Sequence, residues 1–215
     1  MKENLVELVF ILDKSGSMSG LEKDTIGGFN SLIEKQKLES GEAIVSLVLF
    51  DSKINIVNDR VNLKEVKPLT DKEYTPSGCT ALLDAVGMSI NRIRNVQANL
   101  KEEDRPSRTL FVITTDGYEN SSREYTYSVI KKLIDLVKEK EKFEFLFLGA
   151  NIDSAEEAEK LGIDKDYSVN YINDAKGLKV NREALCMTVT NVRKNKKITR
   201  EWKKEIESDF NNREK

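Results

Sequence analysis

Short apolar runs alternate along the chain with longer stretches in which apolar residues recur every three or four positions. Such runs are typical of buried strands, and the longer stretches are typical of amphipathic helices. Strands are predicted at residues 5–12, 43–50, 53–61, 109–115, 143–148 and 166–169. Helices are predicted at residues 20–37, 80–96, 121–140, 153–162, 174–193 and 199–211. This alternation predicts an α/β fold, a three-layer, Rossmann-like open sheet that is mostly parallel and has helices on both faces.

Two of the predicted strands are too close in sequence to be parallel neighbours. Only Asp51 and Ser52 separate strand 43–50 from strand 53–61. A parallel pair needs a crossover of a dozen or more residues, whereas an antiparallel pair needs only a short turn. We therefore expect an antiparallel hairpin whose second strand lies at the edge of the sheet.

Capping residues predict where two of the helices begin. Ser121 and Glu124 have the spacing of a capping box, which places a helix start at Ser121. Asp153 is expected to begin a short helix that Gly162 ends, since glycine readily adopts the left-handed conformation at a helix C-terminus.

The C-terminal segment has a pattern of its own. We expect a domain at residues 1–195 and an amphipathic helical extension at 196–215, whose apolar residues Trp202, Ile206 and Phe210 dock on the domain. A cluster of basic residues lies nearby, at Lys194, Lys196, Lys197, Arg200, Lys203 and Lys204. Glu201 and Glu205 are interleaved with it, which favours a solvated helix face over a nucleic-acid contact.

Composition narrows the possible chemistry. The 215 residues are enough for one domain with a sizeable core, and a net charge of −2 gives no sign of a nucleic-acid partner. The chain has no histidine, which excludes a Ser-His-Asp triad and every His-ligated metal site. Cys79 and Cys186 are too few for a zinc ribbon, and two distant cysteines suggest reduced thiols.

The chain carries no pattern of a targeting or membrane segment. Residues 1–4 lead into a strand that carries Glu7, without the long apolar segment of a signal peptide. No stretch approaches the roughly 20 apolar residues that span a bilayer. We therefore expect a cytoplasmic protein with no membrane partner.

Oxygen-bearing side chains follow the first predicted strand directly. Asp13, Ser15 and Ser17 provide one carboxylate and two hydroxyls within five residues. In an open α/β sheet, ligands bind outside the carboxyl ends of the strands. Oxygen ligands suit Mg²⁺, Mn²⁺ or Ca²⁺ rather than zinc or copper. The segment therefore predicts a divalent-cation site at this edge.

Two further segments bring the same chemistry to the same edge. Asp116 closes the strand 109–115, and Thr80 places a hydroxyl at the start of a helix. If the first strand and strand 109–115 are neighbours whose helices leave to opposite faces, the crevice at the switch point lies between them. Asp13 and Asp116 would then flank one ion, which relieves the repulsion between the two carboxylates.

These three segments resemble the metal-ion-dependent adhesion site of von Willebrand factor type A domains. The similarity lies in Asp-x-Ser-x-Ser at 13–17, Thr80 after a glycine in a loop, and Thr-Asp-Gly at 115–117. The order of elements over roughly residues 5–195 agrees with that family. Within it, the chain is most similar to compact stand-alone bacterial members, including those linked to stress or tellurite resistance.

The resemblance implies a role for each residue. Ser15, Ser17 and Thr80 would give hydroxyls to the metal, and Asp13 and Asp116 would bind it directly or through water. A carboxylate from a partner protein would fill the remaining position. Mg²⁺ or Mn²⁺ is expected before Ca²⁺. No catalytic residue and no organic cofactor is expected, so the chain would be a protein-binding module.

Other interpretations of single motifs remain open. Asp13 and Ser15 could cap a helix without a metal, because Asp and Ser are favoured at that position. Residues 115–117 could be an ordinary turn after a strand. Cys79 beside Thr80 could make the loop sensitive to oxidation, although a small packed residue explains it as well. Glu119 could line the rim of the site or simply lie in a solvated loop.

Two other classes of function also remain open. The first is a metal-dependent phosphohydrolase, since Mg²⁺ with carboxylates assists phosphoryl transfer. The chain lacks a Walker-type glycine-rich loop, and no second aspartate follows Asp13 at position 14 or 15. The second is an assembly subunit of an ATPase, chelatase or stress-resistance complex, which the resemblance also allows. Its docking surface would then be the segment 196–215.

Overall fold

A computed structural model describes residues 1–213 of the chain, apart from the side chain of Glu3. Within these residues, six strands form one sheet in the order β3-β2-β1-β4-β5-β6. The strands are β1 Lys2–Asp13, β2 Glu42–Phe50, β3 Ile54–Asn62, β4 Pro106–Thr115, β5 Glu144–Gly149 and β6 Ser168–Asn170. All neighbours are parallel except β2 and β3, which form the predicted hairpin. The predicted fold class is confirmed.

Helices cover both faces of the sheet. They are α1 Glu22–Lys37, α2 Leu82–Asn99, α3 Tyr127–Lys140, α4 Ser154–Leu161, α5 Ala175–Arg193 and α6 Lys204–Arg213. Helices α1, α5 and α6 pack on one face, and α2, α3 and α4 pack on the other. The helix after β1 and the helix after β4 therefore leave to opposite faces. This is the arrangement that creates a crevice between the two strands.

The centre of the sheet is apolar on both faces because it is covered on both. Along β1, Leu8 and Phe10 pack toward α1 and α5, while Val9 and Ile11 pack toward α2 and α3. Side chains alternate between the faces of a strand, so a strand that is buried on both sides has no polar face. Each such side chain contributes roughly 1.5–3 kcal/mol when it is fully buried. The ends of β1 and β4 are thus held on a rigid base.

The predicted capping box at Ser121 and Glu124 is wrong. Helix α3 begins six residues later, with Thr126 as its N-cap. The backbone N–H groups of Ser121 and Ser122 donate instead to the carboxylate of Glu119, at 2.8 and 2.7 Å. Because Glu119 satisfies these donors, the segment after β4 stays irregular and remains close to the start of α2.

The C-terminal segment packs on the rest of the chain. Trp202 and Ile206 are buried in the same core cluster as α5, which confirms their predicted docking, and Phe210 is half-buried. Lys203 was expected on a solvated face but is buried, and its Nζ donates to the carbonyls of Lys165 and Ser168 at 2.8 Å. The division of the chain at residue 195 stays a prediction. No helix within residues 1–213 is both long and apolar enough to cross a bilayer.

Candidate metal centre

Asp13 is the last residue of β1, and it is buried, with 2% of its surface exposed. One oxygen, Oδ1, accepts the backbone N–H of Ser15 at 2.7 Å. The other, Oδ2, accepts the hydroxyl of Thr115 at 2.7 Å. The carbonyl oxygen of Asp13 accepts the hydroxyl of Tyr74, also at 2.7 Å. The end of β1 is therefore fixed both by its side chain and by its backbone.

Ser15 and Ser17 link Asp13 to Asp116 across the crevice. A short 3-10 turn, Gly16–Met18, follows β1 and brings the two hydroxyl oxygens to 3.0 Å from each other. The hydroxyl of Ser17 donates to Asp116 Oδ1 at 2.5 Å. Ser15 is buried, whereas Ser17 is exposed, so the cluster opens to solvent on the side of Ser17.

Asp116 reaches the cluster because β4 is the neighbour of β1. Leu12 is in register with Thr114, so Asp116 emerges beside Asp13 as β4 ends. Asp116 is buried, and its second carboxylate oxygen accepts Nδ2 of Asn173 at 2.9 Å. The two aspartates, which are 103 positions apart in sequence by their numbers, thus belong to one hydrogen-bonded cluster.

Thr80 joins the cluster through the loop before α2. The carbonyl of Gly78 accepts the N–H of Gly16 at 3.1 Å, which ties this loop to the turn after β1. The backbone of Thr80 exchanges hydrogen bonds with Asn120, at 2.9 Å through the side-chain oxygen and 3.1 Å through the backbone. Its hydroxyl lies against Gly117, where a Cβ would be 3.7 Å away. The Thr80 hydroxyl is therefore held next to Gly117, the residue that follows Asp116.

An ion pair behind the site holds the loop in place. The amine of Lys14 pairs with the carboxylate of Asp51, and both side chains are largely buried. The same carboxylate accepts the hydroxyl of Ser77 at 2.9 Å and the N–H of Lys53 at 2.7 Å. Lys14 is the cationic residue next to Asp13 in sequence, but its charge is committed to Asp51.

The hydrogen bonds to the two buried aspartates come from neutral donors. Among residues 1–213, neither Asp13 nor Asp116 forms an ion pair with a lysine or arginine. Burial raises the pKa of Asp13 above its usual value. Burial also raises the pKa of Asp116, and repulsion by Asp13 raises it further. When both are ionised, the pair carries negative charge that no lysine or arginine within residues 1–213 compensates.

The chemistry of this donor set fits a hard divalent ion. Within the described chain, no three His, Cys, Asp or Glu side chains come together as a metal-binding group. A cation here would therefore depend on the serine and threonine hydroxyls as well as the two carboxylates. An all-oxygen set of this kind suits Mg²⁺ or Mn²⁺, while sulfur and imidazole ligands are absent from the cluster.

The alternative in which this motif only caps a helix is wrong. Helix α1 begins at Glu22, with Leu21 at the N-cap position and no side-chain cap. Ser15 precedes the 3-10 turn, but its hydroxyl caps no N–H there.

Glu119 does not line the rim as a free acid, because its carboxylate accepts the N–H of Leu83 at 2.9 Å. Cys79 is exposed.

Sequence reasoning missed three side chains that contact the predicted ligands: Tyr74, Thr115 and Asn173. Thr115 was noted only as part of a motif, although its hydroxyl binds Asp13. Tyr74 gave a usable signal, because it is a large aromatic residue in an otherwise polar loop. Asn173 gave no such signal, since an asparagine before a helix is typical of an ordinary loop.

Comparisons with known proteins agree with the fold. The sequence model of the von Willebrand factor type A domain matches residues 7–181. The chain has no match among the curated proteins with which it was compared. Solved structures resemble it at low identity, so they show the shared fold alone.

The likeness extends over most of the chain. The vWF domain of the type V pili tip protein Mfa5 from Porphyromonas gingivalis is 11% identical, with 93% of this chain and 99% of that one covered and a TM-score of 0.63. Manganese-loaded TRAP protein from Plasmodium vivax is 18% identical, with 83% and 73% covered and a TM-score of 0.57.

A third structure is larger than this chain. Proximal thread matrix protein 1 from the mussel byssus, with a zinc-occupied MIDAS motif, is 13% identical and has a TM-score of 0.58. The alignment covers 87% of this chain but 46% of the mussel protein, so the chain spans about half its length. Because the family's sequence model matches well over half of the residues, the chain belongs to the von Willebrand factor type A domain family.

Proposed function

We propose that this chain is a divalent-metal-dependent protein-binding module. Asp13, Ser15, Ser17, Thr80 and Asp116 hold Mg²⁺ or Mn²⁺, and a partner protein supplies an Asp or Glu carboxylate to the same ion. The observation that carries the proposal is the buried pair Asp13 and Asp116, which has no lysine or arginine partner within residues 1–213. An uncompensated buried charge is costly, and a bound cation removes that cost.

The ligand types explain why a carboxylate is the expected guest. Three of the five proposed ligands are neutral hydroxyls, and the two carboxylates do not exceed the charge of a divalent ion. A coordination position left free on such an ion can therefore take a further anionic oxygen. A carboxylate bound to it forms a charge-assisted contact that a chelator reverses. Exposure of Ser17 leaves one side of the cluster accessible to such a guest.

Related structures support the choice of a metal-binding role, without fixing the metal. The Plasmodium relative is described with manganese and the mussel relative with zinc. For this chain we propose Mg²⁺ or Mn²⁺, because its donors are all hard oxygens. We propose no catalytic role for the chain itself, so turnover of phosphate esters in the presence of Mg²⁺ would argue for the phosphohydrolase alternative.

The test is a pull-down with the tagged chain in Mn²⁺ and in excess chelator. Asp13→Asn removes a ligand charge while keeping the shape of the side chain. Asp59→Asn is the matched control, since Asp59 lies in an exposed ion pair with Arg92. We expect wild type and Asp59→Asn to capture the same partner in Mn²⁺ only, and Asp13→Asn to capture none. Capture that persists in chelator, or in folded Asp13→Asn, would contradict the proposal.

A further inference from the structure

Asn173 lies outside the five proposed ligands but contacts one of them. It lies between β6 and α5, and its Nδ2 donates to Asp116 Oδ2 at 2.9 Å. The other oxygen of Asp116 accepts the hydroxyl of Ser17 at 2.5 Å. Each carboxylate oxygen therefore has a donor from a different loop. Together the two donors hold the carboxylate in a single orientation.

The turn that carries Asn173 is tightly constrained. The N–H of Asp174 donates to the carbonyl of Ile172 at 2.9 Å, and the side chain of Asp174 accepts the N–H of Gly177 at 2.8 Å. A Cβ at Gly177 would lie only 1.9 Å from the Ile172 carbonyl oxygen, so a larger residue does not fit there. Asn173 is thus positioned by backbone that has little freedom to move.

The amide of Asn173 has a second, unused polar atom. Its Oδ1 is buried and has no hydrogen-bond partner in the described part of the chain. Buried acceptors are normally satisfied, and an unsatisfied one calls for an explanation. A water molecule carried by a cation offers a suitable donor, because the ion polarises its protons outward. The amide therefore complements a hydrated ion next to Asp116.

We propose that Asn173 is a positioning residue that orients Asp116 and limits the negative charge around the ion. This inference rests on the proposed function. An aspartate has nearly the same size and shape as an asparagine, so it would fit at position 173. It would, however, add a third carboxylate beside Asp13 and Asp116. The ion would then be over-compensated and would attract a guest carboxylate less strongly.

The test compares Asn173→Asp with Asn173→Ala in two assays. Free Mn²⁺ counted by electron paramagnetic resonance gives the metal affinity. Acetate titrated into the Mn²⁺-loaded protein gives carboxylate binding, because acetate displaces bound water and lowers water-proton relaxation. In Asn173→Asp we expect Mn²⁺ affinity to rise about tenfold, since affinity follows the charge count of the ligands. Acetate affinity should fall by about the same factor.

Asn173→Ala separates charge from simple loss of a contact. It removes the donor to Asp116 without adding charge, so Mn²⁺ affinity should fall about threefold to tenfold. A merely structural role would make both variants weaker binders. Opposite changes in Mn²⁺ affinity for the two variants are therefore the expected signature of charge control.

Asn151→Asp is the matched control for local charge. Its Nδ2 lies 3.5 Å from the backbone carbonyl oxygen of Asp116, and its side chain is exposed. A carboxylate at this position is screened by solvent and salt. Its backbone is left-handed, with φ 58°, which aspartate tolerates. We expect both affinities of Asn151→Asp to stay within about twofold of wild type.

The outcomes distinguish failure of this inference from failure of the proposed function. If wild type binds Mn²⁺ but not acetate, the proposed function fails. If wild type binds both and Asn173→Asp stays within twofold in each assay, the inference about Asn173 is overturned. A fall in acetate affinity of the same size in Asn173→Asp and Asn151→Asp would also overturn it. If Asn173→Asp does not fold without metal, it is refolded in Mn²⁺ and its acetate affinity decides. An acetate affinity within twofold of wild type would then overturn the inference.

Discussion

Strand β1 carries two buried carboxylates that the protein treats differently. Glu7 is 0% exposed, and Asp13 at the end of the strand is 2% exposed. Glu7 accepts Nε and Nη2 of Arg60 at 2.6 and 3.1 Å, and Nε2 of Gln97 at 2.7 Å. Asp13 accepts neutral donors, among them the backbone N–H of Ser15 and the hydroxyl of Thr115. Within residues 1–213, one carboxylate has a cationic partner and the other has none.

The ion pair between Arg60 and Glu7 comes with a strained backbone at Arg60. Arg60 has a left-handed backbone, with φ 53°, at a place where the pairing of β2 and β3 is irregular. A non-glycine residue in this conformation costs on the order of 1 kcal/mol. In the described part of the chain no lysine or arginine pairs with Asp13, and the neighbouring Lys14 is paired with Asp51. The charge of Glu7 is thus compensated by Arg60, whereas the charge of Asp13 would be compensated by a bound metal ion.

The largest effect is expected where the internal pair is broken. Arg60→Ala leaves Glu7 buried without a cation, which should lower the free energy of unfolding by about 3–5 kcal/mol. Arg92→Ala removes an exposed pair with Asp59 and should cost about 1 kcal/mol or less. Urea unfolding measures both, in chelator and in Mg²⁺. If the difference in free energy of unfolding between wild type and Arg60→Ala disappears in Mg²⁺, the two carboxylates are not separate sites.

The next effect is stabilisation by the metal itself. An ion that binds only the folded chain raises the free energy of unfolding by about 2.7 kcal/mol at one hundred times its dissociation constant. Thermal unfolding of the wild type should therefore shift upward in Mn²⁺ or Mg²⁺. Asp13→Asn should show no such shift, whereas Asp59→Asn should keep it. Equal shifts in all three proteins would mean that the ion binds elsewhere.

A smaller effect is expected from the pair behind the site. Lys14→Met leaves Asp51 without its cation and loosens the loop that carries Thr80, so Mn²⁺ affinity should fall about threefold to tenfold. The added apolar side chain keeps most of the packing of the lysine stem. Counting free Mn²⁺ measures the change. Unaltered affinity in folded Lys14→Met would show that Thr80 does not depend on this pair.

The smallest effect is a stabilising one. In chelator, Asp13→Asn removes a buried charge that lacks a counterion, so it should raise the free energy of unfolding by about 1 kcal/mol at pH 7. The folded-state pKa of Asp13 is raised by burial. Its contribution to stability is therefore present at pH values below the usual aspartate pKa and is lost as pH rises through the raised value.

The pH dependence checks the sign of that effect. In chelator, the stability advantage of Asp13→Asn over wild type should shrink as pH is lowered from 7 toward 4, because wild-type Asp13 then becomes neutral. Urea unfolding at several pH values follows the difference between the two proteins, so groups common to both cancel. An advantage that grows at low pH would contradict the assignment of Asp13 as an uncompensated carboxylate.

Sequence reasoning succeeded where strand ends determine position. Asp13 and Asp116 follow long apolar strands, so their meeting at one edge of the sheet followed from the alternation of strands and helices. It failed where two local motifs competed for the same backbone donors. Ser121 and Glu124 match a capping box, but Glu119 satisfies the N–H of Ser121 and delays the helix.

Local sequence patterns could not predict the residues that hydrogen-bond to the buried carboxylates and to the backbone of Asp13. Tyr74 and Asn173 act through single hydrogen bonds to residues 61 and 57 positions away. Glu7 was noted only as a charge in a strand, and its partner Arg60 lies 53 positions away on β3. Such contacts depend on tertiary packing, which neither hydrophobic periodicity nor motif spacing encodes.

The decisive measurement counts the Mn²⁺ bound by the wild-type chain and by a double variant, Asp13→Asn with Asp116→Asn, using electron paramagnetic resonance of the free ion. We expect one ion per chain for the wild type and none for the folded double variant at the same concentrations. Equal binding by both proteins, or no binding by the wild type, would contradict the claim that these two buried carboxylates await a cation.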